Sequence, residues 1–146
     1  MAYRSIAITS NQPPKEGIAY GTIYPGMLLE RTATANQVQP HTDDRGRVYG
    51  NLVAVEDSLQ GNDVNDAYTA ANQCFFKSFL PGDEILGYVG IGTSIAIGDQ
   101  LCSNGAGALE KFTQDSSFGG EEPYVFGTAL EACTAIAATV IRVEVA

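Results

Sequence analysis

Short runs of β-branched and apolar residues, each launched from a glycine turn, constrain this chain more than any other feature. The same phrase recurs at Pro25-Gly26-Met27-Leu28, at Pro81-Gly82-Asp83-Glu84-Ile85 and at Ile97-Gly98-Asp99-Gln100-Leu101. Glycine supplies the left-handed backbone that a tight turn needs. Where Asp follows, its carboxylate is placed to cap free N–H groups of that turn. Strand-like runs lie between such turns at Arg47–Glu56, Cys74–Leu80, Ile85–Ile91, Ile95–Leu101, Leu109–Phe112, Tyr124–Leu130 and Thr139–Val145. About eight to ten short strands at 8–12-residue spacing predict an all-β fold, a single compact β-barrel or β-tulip/sandwich-like domain.

Two segments stand apart. Ala2–Thr9 alternates weakly and stops at Pro13-Pro14, so residues 1–13 read as an N-terminal extended arm or edge strand, with the barrel domain at 14–146. Asp57–Gln73 has helical leanings but is too short and polar for a firm helix, and reads as a long loop with at most one turn. The last strand alternates Val140, Arg142, Glu144 against Ile141, Val143, Val145, the pattern of a strand with one wet face.

Charge excludes whole classes of function. Eight basic and 17 acidic residues give a net charge of −9, which argues against a grip on nucleic acid, where a basic face must displace counterions, and against binding an anionic membrane. Met1–Ser5 lacks the basic and apolar regions of a signal peptide, and the expectation is a protein made and kept in the cytosol, or assembled there into something larger. Cys74, Cys102 and Cys133 are odd in number and form no C-x-x-C pair. They read as small buried apolar residues, with one disulfide plus a free thiol as the alternative.

A search for chemistry finds no constellation. His41 is the single histidine and, beside Asp43 and Asp44, reads as a solvated loop residue. Asn62–Asp66 lacks the glycine and closing glutamate of a calcium loop. The glycine stretches at Gly90–Ile95 and Gly105–Glu110 lack a third glycine and a Lys-Ser/Thr pair, and no Gly-x-Ser-x-Gly elbow occurs. The expectation is no enzyme, no metal and no cofactor.

Several phrases, taken in order, carry a resemblance: Asn51–Asp57, Asp66-Ala67-Tyr68, Phe79–Ile85, Ile95–Leu101, Ser103–Leu109, Gly127–Ala132 and Val140–Val145. From about Gly17 to the end the chain resembles the capsid cement, or head decoration, proteins of tailed phages. The resemblance implies a structural virion protein on the capsid exterior. It would be a homotrimer over threefold or quasi-threefold points, bracing the major capsid protein without catalysis or cofactor. Candidate capsid or subunit contacts are Tyr3, Arg4, Ile6 and Ile8, placed to add a strand to a neighbouring edge by β-augmentation, together with Tyr20 and Tyr24; Tyr49 is a further aromatic candidate. The alternatives are a tail or baseplate component, a small ligand-binding barrel or hydrolase, or a lipoyl-like carrier barrel. For the last, Lys15, Lys77 and Lys111 occupy no symmetric tight turn.

Overall fold

A computed structural model describes residues 5–10, 12–113 and 124–146. The chain is all-β, and its described residues build two sheets of five strands and a short ribbon. The first half contributes β1 (Lys15–Ala19), β2 (Leu29–Arg31), β3 (Gln37–Pro40), β4 (Leu52–Ala54) and β5 (Gln73–Ser78), in the order β2-β3-β1-β5-β4. β1 and β3 run parallel; the other neighbours are antiparallel. This sheet curls until its edges touch: Leu28 bridges Val53, and the Ala54 N–H donates to the Met27 carbonyl. Inside the curl sit Ala19, Leu29, Val38, Leu52, Cys74 and Phe76.

The second half forms β6 (Glu84–Val89), β7 (Ser94–Ile95), β8 (Gln100–Ser103), β9 (Leu109–Lys111), β10 (Gly127–Ala129), β11 (Cys133–Thr134) and β12 (Thr139–Val145). Strands β10-β12-β6-β9-β8 close into a barrel, while β7 and β11 pair as a separate two-stranded ribbon. Along the β6–β12 ladder Ile85 opposes Val143 and Gly87 opposes Ile141, so one face of both strands fills the barrel. Gly87 and Gly127 sit at close approaches there. A methyl on Gly127 would stand 2.5 Å from the Glu144 carbonyl oxygen.

The barrel closes through a single β6–β9 pairing, Val89 with Leu109. The rest of that β6 edge is covered by the N-terminal half. The Leu86 N–H donates to Ile6, those of Ile8 and Thr9 to Glu84, and that of Tyr88 to Gly26. One apolar cluster therefore spans both halves, from Ile6, Leu28, Val53 and Phe79 to Leu101, Phe126 and Val143.

The glycine turns behave as expected. Gly82 and Gly98 have φ of 92° and 89°. In each turn the aspartate takes a backbone N–H, Leu80 to Asp83 Oδ2 at 2.9 Å and Ala96 to Asp99 Oδ2 at 2.8 Å. At Gly26 (φ 93°) the Met27 sulfur occupies the equivalent place, 3.4 Å from the Tyr24 nitrogen. The loop 57–73 carries one 3-10 turn, Ser58–Gln60, capped by Asp57. All three cysteines are free, Cys74 and Cys102 buried and Cys133 half-buried.

Candidate interaction surface

His41 does not lie in solvent. It is 2% exposed, its Nδ1 is 2.7 Å from Ser103 Oγ, and its Nε2 is 3.0 Å from the Arg47 carbonyl. A carbonyl only accepts, so Nε2 carries the proton and Nδ1 accepts from the Ser103 hydroxyl. The Ser103 oxygen in turn accepts from the Gly105 N–H at 3.2 Å. The loop reading fails because both main-chain groups of His41 are bonded across the fold, its N–H to Leu28 and its carbonyl from Gly107. A hydroxyl donating to an imidazole has the makings of an activated nucleophile. Ser103 is 0% exposed, however. The pair welds the Gln37–Arg47 segment to β8.

Burial, then the neighbouring Asp44 carboxylate, raises the Glu110 pKa, with Arg45 opposing. Asp63, which the sequence offers weakly as a cation ligand, spends its carboxylate on the Asn65 N–H, and its own N–H donates to Asp66.

The exposed surface is more informative. Residues 85–98 and 132–141 carry no charged side chain, and they pair with each other twice, as β6–β12 and β7–β11. The result is an uncharged face on a chain of net charge −9. Three isoleucines stand out from it at the turns flanking the ribbon: Ile91 (73% exposed), Ile97 (71%) and Ile136 (89%). The Gly92 N–H donates to the Ala135 carbonyl, which sets the Ile91 and Ile136 turns side by side. The face continues into a shallow cleft of about 220 Å3 lined by Tyr24, Val64, Asn65, Tyr88, Ala138 and Val140, again without a charge. Tyr24 stacks on Tyr88, ring centroids 5.6 Å apart.

The residues singled out by sequence scatter. Tyr24 lies on the uncharged face, and Tyr20 is exposed beyond the end of β1. Ile8 is partly exposed, but its backbone is bonded to β6. Ile6 is fully buried: the barrel needs its side chain as core, which removes it from any surface role. Tyr3 and Arg4 lie outside the described residues. Tyr49, 75% exposed, stands against the Arg47 guanidinium. The sequence reading places Ile91 at the end of one strand-like run and Ile97 inside another, and leaves Ile136 in the connection between the last two. The signal that finds them is the absence of charge in two separate runs, and it becomes a surface only once those runs are known to pair.

No protein-family model matches the chain, and no curated protein sequence matches it. Among solved structures its fold is similar to that of the head fiber gp8.5 N base of bacteriophage phi29. The TM-score is 0.58, with 14% identity over 92% of this chain and 94% of that one. The two share a fold almost end to end.

Proposed function

We propose that this chain is a structural protein of a tailed-phage virion, bound to the outside of the head and bracing the shell, with no catalytic role. The observation that carries this reading is the fold held in common, over nearly the whole of both chains, with the base of a phage head fiber. The ordered phrases that resemble capsid cement proteins support it independently. The Ser103–His41 pair, the arrangement nearest to a catalytic one among the described residues, is buried.

In this reading the protein works as a homotrimer over threefold or quasi-threefold points, and the uncharged face holds the copies together. Copies that each carry −9 repel wherever acidic surfaces meet. An interface with apolar anchors and few charges avoids that cost. Ile91, Ile136 and Tyr24 supply such anchors.

The test is co-sedimentation of purified protein with emptied heads of the phage that encodes it. Binding is expected to saturate at a fixed number of copies per shell, and decorated shells are expected to withstand heating better than bare ones. Failure to sediment with heads overturns the reading, as does turnover of a small molecule by the purified protein.

A further inference from the structure

The curled first sheet has an open end with a chemistry unlike the rest of the surface. β1 starts there at Lys15, β2 ends there at Arg31, β4 starts at Leu52 and β5 ends at Ser78. These ends line one open cleft of about 400 Å3, together with Glu30 and Tyr49. Lys15 is the cross-strand partner of Phe76, so its side chain leaves the same face of the sheet as that buried ring. The Arg31 guanidinium lies over the same ring, 5.5 Å from its centroid. Arg31 thus roofs the ring at the mouth of an apolar interior, and Lys15 leaves the sheet on the same face. A third cation, Arg47, is stacked between the rings of Tyr49 and Tyr124, 5.4 Å from each centroid.

Three of the eight cations of an acidic chain are gathered here. Neither Lys15 nor Arg31 has a carboxylate within ion-pair distance among the described residues. Glu30 is the acid in the lining, and its Oε1 is already committed to the Gln39 side chain and to the N–H and hydroxyl of Thr42. A guanidinium stacked on a ring keeps its in-plane N–H groups free for a carboxylate.

We propose that this mouth is a binding site for an acidic, apolar-flanked segment of a protein partner. The Lys15 ammonium and Arg31 guanidinium would take its carboxylates, while Tyr49 and Leu52 would cover its apolar side chains. Electrostatics select the place, because an acidic segment is repelled by most of this surface and attracted here. The apolar floor selects the occupant, because a small inorganic anion makes no use of Tyr49 or Leu52. A cleft of about 400 Å3 falls within the ordinary range of ligand pockets. The site stands apart from the uncharged face and does not depend on the capsid reading.

The probe is a fluorescein-labelled octapeptide of alternating glutamate and leucine, titrated with the purified full chain and followed by anisotropy. Its counterpart carries glutamine for every glutamate. The glutamate peptide is expected to bind with a Kd below about 1 mM. Replacing its glutamates, or making Lys15→Gln with Arg31→Gln, is expected to weaken binding by about tenfold or more. Lys77→Gln, on a different cation, leaves it unchanged, and Glu30→Gln tightens it. Lys15→Gln alone, at an exposed strand start, gives the same direction should the double variant melt early. Equal binding of the two peptides overturns the proposal, as does undiminished binding by a folded Lys15→Gln, Arg31→Gln protein. Inorganic phosphate binding as tightly as the peptide overturns the protein-segment occupant.

Discussion

Asp83 and Asp99 each close a glycine turn by taking the N–H three residues back, and that bond sets how the chain enters β6 and β8. Losing such a bond at a partly exposed turn costs about 1 kcal/mol. Asp83→Ala is therefore expected to lower the urea midpoint modestly without changing the fold. His41→Ala is expected to cost more, about 1–3 kcal/mol, because it leaves the buried Ser103 hydroxyl without its acceptor. Alkaline pH probes the buried acids. Burial pushes the Cys74 thiol up to about 12, and burial followed by the Glu110 carboxylate pushes Cys102 up to about 11. Burial likewise raises Tyr68, whose hydroxyl donates to the Val55 carbonyl at 2.5 Å. Unfolded thiols titrate near 8.5. Above about pH 8.5 the native state therefore holds more protons than the unfolded one, and stability falls as pH rises. Urea midpoints measured from pH 7 to 10 should drop, and Cys74→Ala should flatten that drop. A midpoint constant to pH 10 contradicts the assignment.

The N-terminal segment shows what a sequence leaves undetermined at the level of elements. Alternation at Ala2–Thr9 permits either an edge strand or a free arm, and the same residues suit both. The described part is docked on its own barrel because the β6 edge would otherwise expose the Leu86 N–H and because Ile6 completes the core. Ile6→Ala is expected to destabilise by about 2–5 kcal/mol. Ile8→Ala, at a partly exposed side chain, should stay within about 0.5 kcal/mol. Equal and small effects, read from denaturant unfolding, would return the segment to the status of an arm. Deleting residues 2–12 is expected to loosen the fold as well as to change any surface. The glycine turns and the last strand were readable because their signals are local, a left-handed glycine or a period of two. His41 and the two-residue strands β7 and β11 were not, since partners distant in the chain define them: Ser103 for the histidine, and for the strands each other.

At the scale of the whole molecule, two curled sheets are joined by an apolar cluster that spans both, the first sheet keeps a second cluster of its own, and charge is distributed unevenly over the outside. The barrel half presents a face without charge; the first sheet presents a mouth with gathered cations. If the uncharged face joins copies, Ile91→Glu with Ile136→Glu should give monomers of 15.4 kDa with unchanged thermal stability, because both side chains are exposed in the isolated chain. Sedimentation velocity at about 0.15 M salt, where the Debye length is about 8 Å, reads this directly. The account is tested most directly by a cryo-electron reconstruction of emptied phage heads saturated with the purified protein. It predicts three-lobed density on the outer surface at threefold or quasi-threefold points, with Ile91 and Ile136 turned toward the local axis. Density at the tail or none on the shell would contradict it, as would trimers that meet through their acidic surfaces.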